Sequence, residues 1–244
     1  MTQDSPAEGT ILVIQNSKNS GPRRLIPWLA AHQLSTDIVF ATDLQHEDIN
    51  QRAGIIILGG APLPNQDIDF PWLPLERDIV AAAVQHSIPT LGICLGAQLL
   101  AVVAGGTVER RVLPPEHGMC RITNIPDAAQ SDDVFKHLPA SYPMTENHVD
   151  AITKLPDTAI HLAYSSRCPN QAFKIGSCAW GVQFHPEVSA DNIISWDAQE
   201  QDAIARDGYN WQELVEGAVK HKDVNTQVAQ TLISSFASYC RYAD

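Results

Sequence analysis

Two kinds of hydrophobic pattern take turns along this chain. Short, β-branched runs occur at "TILVIQ" (10–15) and "GIIILGG" (54–60), the mark of strands covered on both faces, and "TDIVFA" (36–41) and "IPTLGI" (88–93) also read as strands. Between them lie stretches with helical spacing. "RRLIPWLAAHQL" has Pro22 placed to open a helix and Pro27 to kink it or delay its start, "DLQHEDINQRA" reads as a polar surface helix or loop, and "LERDIVAAAVQHS" is periodic throughout. Buried strands alternating with helices call for a mostly parallel sheet with right-handed crossovers. From Gly105 to about Gly181 the texture changes. "GTVERRV", "MCRIT", "AIHLAYS", "QAFKIG" and "CAWGVQF" are separated by turn residues and predict half-exposed antiparallel strands. Past residue 190 the pattern is helical again. Asn210 with Glu213 suggests a capping box, and Val228, Leu232, Phe236 and Cys240 recur every fourth residue, a stripe that predicts packing against the body of the fold.

The expectation is one α/β domain spanning 1–244, with a mostly parallel central sheet, antiparallel strands toward one edge, a motif-bearing core at about 10–190 and a C-terminal helical extension at about 191–244. Length agrees, since 244 residues suffice for one large domain with a real core. With 16 Lys+Arg against 28 Asp+Glu the formal net charge is −12, which argues against nucleic acid or an anionic membrane as partner. The opening "MTQDSPAEGT" has no basic or apolar leader, and no apolar run approaches the roughly 18 residues of a membrane span, so a cytoplasmic location is expected. Cys94, Cys120, Cys168, Cys178 and Cys240 are odd in number, scattered and never in a C-x-x-C pair, a pattern of reduced thiols rather than of disulfides or a metal site.

One cysteine stands apart. Gly92-Ile93-Cys94-Leu95-Gly96 has the G-x-Nu-x-G spacing of a nucleophile elbow, in which a tight strand-to-helix turn lifts the nucleophile clear of the sheet and glycines two residues to either side avoid a steric collision. Cys94 then sits over the first amides of the helix "LGAQLLAVVA", which favour an anion, and the N–H of Leu95 is available to an oxyanion. The pentapeptide alone suits a buried cysteine in a glycine-flanked turn equally well. A thiol hydrolase also needs an imidazole and a group to orient it. Of nine histidines, His32, His46, His86, His137 and His221 have bland explanations at helix ends or on polar faces. In "WGVQFHPEV" (180–188), His185 and Glu187 follow an apolar strand, where ligands of open α/β sheets gather, and a spacing of two lets both side chains point the same way.

Elbow and dyad in this order resemble the class I (triad) glutamine amidotransferases. "GIIILGGAP", "PTLGICLGAQLLA", "GGTVERR", "EHGM", "NHVD", "NQAFKIG" and "AWGVQFHPEV" strengthen the likeness, which is dense from about residue 54 to 190 and is greatest to stand-alone proteins similar to the amidotransferase domain of GMP synthase. The resemblance implies a flavodoxin-like three-layer sandwich. It implies Cys94 as nucleophile toward the side-chain amide of glutamine, His185 as general base and then acid, and Glu187 as its orienting carboxylate. Backbone amides of Gly60 and Leu95 would hold the oxyanion, and Gly59, Gln98, Asn147 and His148 would contact substrate. It implies no cofactor and no metal, glutamine or a γ-glutamyl compound as substrate, and a separate ATP-dependent synthetase as the user of ammonia, because no G-x-x-x-x-G-K-[ST] occurs here. The sequence departs from the family at Ala61, which precedes Pro62 in the oxyanion loop, and at Val149, which stands where the family's His-Gly-Asp element has glycine. Two other readings stay open: the same triad acting on γ-glutamyl peptides or amides, and a non-catalytic binding or redox-sensing module.

Overall fold

A computed structural model describes residues 9–242. Residues 1–8, on which the leader reading above rests, and residues 243–244 lie outside the described residues. The parallel half begins with β1 (Thr10–Gln15), α1 (Leu25–Ala31), β2 (Ser35–Phe40), β3 (Gly54–Ile57), α2 (Leu73–Gln85), β4 (Thr90–Ile93) and α3 (Leu95–Val103). There follow β5 (Thr107–Arg110), β6 (Glu116–Asn124), α4 (Pro126–Gln130), β7 (Ser141–His148), β8 (Asp150–Lys154), β9 (Ile160–Tyr164), β10 (Ala172–Ile175) and β11 (Ala179–Val182). The chain ends in α5 (Ala190–Ile194), α6 (Ala198–Arg206) and α7 (Trp211–Tyr242).

Nine strands form one sheet in the order β2-β1-β3-β4-β11-β10-β9-β6-β7, and β5 pairs with β8 in a small antiparallel ribbon. The expected division into a parallel core and an antiparallel edge is present, with two corrections. The strand in "CAWGVQF" is β11, and it runs parallel to β4 in the core of the sheet, with Gly181 opposite Gly92, while antiparallel to β10. All four of its residues are buried, as expected of a strand covered on both faces. Strands β7 and β8 do not show in the hydrophobic pattern, because "SYPMTENH" places Pro, Glu, Asn and His in a strand that buries most of its polar residues. Between β2 and β3 the polar segment, read as a helix or a loop, is a loop with two short 3-10 turns.

Alternation along the central strands supplies both faces of the sheet. Ile11 and Val13 join Leu25, Leu29, Val228, Leu232 and Phe236 in one apolar cluster, so α1 and α7 cover that face. Leu12, Ile14, Ile55 and Ile57 join Ile79, Val80, Leu99 and Leu100 beneath α2 and α3 on the other. The result is the three-layer sandwich expected. Asn210 caps α7 through Oδ1, which accepts the N–H groups of Gln212 (2.9 Å) and Glu213 (3.2 Å), and the Val228-to-Cys240 stripe is buried along its length. No helix among the described residues is long and apolar enough to cross a membrane.

Candidate active site

The turn from β4 into α3 is closed by backbone hydrogen bonds and close packing. The N–H of Cys94 donates to the carbonyl of Val182 at the end of β11 (2.8 Å), and its own carbonyl accepts from Gln98 (3.0 Å) as α3 starts. Cys94 itself has φ 53° and ψ −108°, a conformation that costs a side-chain-bearing residue energy and that the surrounding packing must enforce. Both flanking glycines are required, though not because their side chains would strike the cysteine. A Cβ on Gly92 would lie 2.5 Å from the backbone of Gly96, and a Cβ on Gly96 would lie 2.3 Å from the carbonyl oxygen of Ile57 in β3. The glycines let the first turn of α3 sit directly on two neighbouring strands. Leu95 is consequently the first residue of α3, where a backbone N–H has no acceptor within its own helix.

His185 lies three residues past β11, and its backbone N–H donates to the carbonyl of Thr145 in β7 (2.8 Å). Nδ1 is 2.7 Å from Oε1 of Glu187, and both side chains are buried. The other ring nitrogen belongs to the Cys94 side. A Cβ built on Gly59 would lie 3.0 Å from Cε1 of His185 and 3.8 Å from Sγ of Cys94, so ring and sulfur flank the same point. Electrostatics agrees: burial pulls the His185 pKa down, but Glu187 and Cys94 acting together hold it well above the usual imidazole value. Cys94, His185 and Glu187 are therefore brought together, with Gly59 as the small residue between thiol and ring.

Several supporting residues carry no motif that sequence reasoning could have used. Arg24, at the start of α1, donates from Nε to the carbonyl of Pro186 (2.7 Å) and from Nη2 to Oδ1 of Asn225 in α7 (2.9 Å). Burial lowers its pKa to about 10 while the charge of Glu187 opposes that fall. On the opposite side of the thiol, Asn16 donates to the carbonyl of Leu58 (3.2 Å) and to Oε1 of the fully buried Glu76 (2.8 Å), bracing the turn that contains Gly59 and Gly60. Burial, the dominant cause, raises Glu76 to about 7 despite the Asn16 hydrogen bond. Ala61 and Val149 both avoid the left-handed region, so neither departure from the family's pattern strains the backbone.

The remaining expected substrate contacts separate. Gln98 is buried, with Nε2 directed to Oε1 of Gln183 (3.2 Å) and to the carbonyl of Asp150 (3.4 Å). The same carbonyl meets Nδ1 of His148 (3.0 Å), whose Nε2 lies 3.4 Å from Glu116 and 3.5 Å from Glu146. Asn147 does not join them. Alternation along β7 turns it to the other face, where its Oδ1 meets Nδ1 of His117 (2.8 Å) at the wall of a polar cavity of about 640 Å³ shared with Asp207 and Tyr209. Glu116, His148 and Cys168 offer donor atoms within 4.8 Å of one another and form the candidate metal cluster among the described residues. Both oxygens of Glu116, however, accept from Ser165 Oγ (2.8 and 2.9 Å), and Oε2 accepts also from Gln171 (2.7 Å).

The pattern that defines the class-I glutamine amidotransferases matches residues 15–193, from the end of β1 into α5. This chain belongs to that family. Among its relatives, a subunit of the glutamine-hydrolyzing GMP synthase of Picrophilus torridus is 33% identical over 163 residues, covering 66% of this chain and 82% of that one. γ-Glutamyl peptidase 4 of Arabidopsis thaliana is 31% identical over 151 residues, covering 62% of this chain and 59% of the other. A glutamine amidotransferase of Thermotoga maritima has the same fold, with a TM-score of 0.83 at 24% identity over 95% of this chain and 99% of its own. The chain is thus a member of an enzyme family, and Cys94, His185 and Glu187 lie inside the matched segment.

Proposed function

We propose that this amidotransferase hydrolyses the side-chain amide of glutamine through a thioester on Cys94 and releases ammonia to an acceptor. The observation that carries this reading is the 2.7 Å Glu187–His185 contact with the far side of the ring turned to the thiol of a strained strand-to-helix turn. The raised pKa of His185 favours the imidazolium, the form that donates a proton to the leaving nitrogen. Sγ attacks the amide carbon, and the resulting oxyanion is met by the N–H groups of Leu95 and Gly60. His185 gives its proton to the amide nitrogen as the C–N bond breaks, and ammonia leaves. Neutral His185 then takes a proton from water, the hydroxide adds to the thioester, and the C–S bond breaks to restore the thiolate. The sum is glutamine plus water to glutamate plus ammonium.

Relatives that are separate GMP synthase subunits support a synthetase on another chain as the ammonia user. The γ-glutamyl peptidase relative supports a second reading, in which the same γ-glutamyl thioester forms from a γ-glutamyl peptide or amide and an amine other than ammonia departs. Both predict that Cys94→Ala removes turnover while leaving the fold intact. Comparing kcat/KM for free glutamine with that for γ-glutamyl peptides separates them. Glutaminase activity at or above peptide hydrolysis supports the first reading, and robust peptide hydrolysis beside negligible ammonia release from glutamine overturns it.

A further inference from the structure

Asn16 follows β1, and its Nδ2 donates both to Oε1 of Glu76 on α2 (2.8 Å) and to the carbonyl of Leu58 (3.2 Å). Because a backbone carbonyl can only accept, the Leu58 contact fixes which end of the amide is nitrogen. Oδ1 of Asn16 and Oε2 of Glu76 are both buried, and neither has a hydrogen-bond partner among the described residues. Glu76 itself is 0% exposed. Two buried acceptors on one amide–carboxyl pair, already joined by an N–H···O bond, call for a proton shared between them. An amide beside a carboxylic acid closes a ring of two hydrogen bonds, in which the acid accepts from the amide N–H and donates its O–H to the amide oxygen. A proton on Oε2 thus partners both atoms and removes a buried charge.

Charge around Glu76 agrees with a neutral acid. Burial raises its pKa to about 7, while the Asn16 hydrogen bond and the charge of Arg77 oppose the rise. Arg77 is the charged group acting on Glu76 among the described residues, and its guanidinium is committed to both oxygens of Asp67 (2.7 and 2.8 Å).

The pair stands directly behind the oxyanion turn. Leu58, the residue before Gly59, donates its N–H to the carbonyl of Ile14 (3.0 Å) and offers its own carbonyl to Asn16, so the end of β1 holds it on both sides. Gly60 is wedged between Asn16 and α3. A Cβ there would lie 2.8 Å from Cβ of Asn16 and 2.9 Å from Cδ2 of Leu95, the residue that carries the other oxyanion N–H. A change in the direction of Asn16 is therefore transmitted to the Gly60 amide.

We propose that Asn16 is a positioning residue for the oxyanion turn, and that Glu76 holds it as a neutral acid through an Oε2–H donated to Oδ1 of Asn16. Loss of that proton to solvent leaves two acceptors facing each other, one of them charged; Asn16 turns away and the Gly60 N–H loses its fixed direction. The inference rests on the thioester chemistry proposed above, to which it adds proton-dependent control of an oxyanion donor. Both residues act through the turn.

Two measurements on the wild type, Glu76→Gln and Asn16→Ala test it. NMR follows the amide resonance of Gly60 with pH: in the wild type it should shift with a midpoint of about 7. It should stay fixed in Glu76→Gln, whose amide supplies an acceptor and a donor at every pH, and in Asn16→Ala, where the link is cut. Kinetics follows kcat and KM for the better of glutamine and a γ-glutamyl peptide. The wild-type kcat should step down on the order of 10-fold to a lower plateau as pH rises past the midpoint, with KM little changed, because a donor is misdirected while the triad is kept. Glu76→Gln should abolish the step, and Asn16→Ala should hold kcat at the lower plateau throughout. A brace that serves stability alone moves neither the step nor the resonance. A Gly60 shift that persists in Asn16→Ala, a midpoint near the ordinary 4.5, or a step retained by Glu76→Gln overturns the proposal. Should Gly60 titrate as expected while no γ-glutamyl substrate is turned over, the hydrolysis reading falls and the Asn16–Glu76 link stands; turnover with a Gly60 resonance indifferent to Glu76 does the reverse.

Discussion

At Cys94 the backbone conformation, φ 53° and ψ −108°, is held by neighbours that leave no space for a methyl group at residue 92 or 96. The contact at Gly96 is with a main-chain oxygen of a central strand, which cannot swing aside. Gly96→Ala is therefore expected to destabilise the fold by about 3 kcal/mol or more, read from the midpoint of urea unfolding, whereas alanine at Gly105 meets no atom within 4 Å and is opposed only by its positive φ. The second residue-scale consequence concerns His185. Burial opposes the charged ring, but Glu187 and Cys94 together hold its pKa well above 6.5, so the alkaline limb of the kcat/KM profile is expected above that value. Glu187→Gln removes one of the two raising charges. The limb should then move to lower pH; a limb that stays in place would show that Glu187 does not act on the ring electrostatically.

Elements far apart in sequence converge on the His-Pro-Glu segment, and their effects belong to helices rather than to single catalytic atoms. Arg24 joins the start of α1 to the Pro186 carbonyl and to Asn225 of α7, fixing the main chain between the ring and its orienting carboxylate. Arg24→Ala is expected to lower kcat on the order of 10- to 100-fold with little change in KM, the signature of a misplaced catalytic group rather than a lost substrate contact. Lysine should not restore it, because one ammonium cannot reproduce the two directions of the guanidinium fork. On α2, Glu76 titrates at about 7 in the folded protein against an ordinary value of 4.5. The folded state then binds more protons than the unfolded one between these values, so stability falls as pH rises through that window. Glu76→Gln can keep the Asn16 hydrogen bond without the buried charge. It should be more stable than the wild type at pH 8 by up to about 3 kcal/mol and little different at pH 4, as measured by chemical denaturation at both pH values.

For the molecule as a whole, the parts legible in the sequence are those that depend on apolar period and short motifs. The buried runs of β1, β3 and β4, the α7 stripe and the spacing of Cys94, His185 and Glu187 need nothing but local pattern. What stays hidden depends on long-range pairing. Nothing local distinguishes β11 as a parallel core strand until β4 is beside it, and "SYPMTENH" becomes a strand only when β6 pairs with it and buries its polar residues. The same hairpin separates two adjacent candidates, sending His148 toward the triad side and Asn147 to the opposite face, a distinction made by alternation along a strand that no apolar period announces. Arg24, Asn16 and Glu76 give no local signal because each is an ordinary residue on a surface-like segment, and only packing turns it inward. All of the proposed chemistry depends on one thiol among five free cysteines acting as the nucleophile. The most direct measurement is peptide mapping by mass spectrometry after treatment with an electrophilic glutamine analogue, with and without excess glutamine. One adduct per chain, on Cys94 and suppressed by glutamine, is the predicted result; label spread over Cys120, Cys168 or Cys178, or indifferent to glutamine, contradicts it.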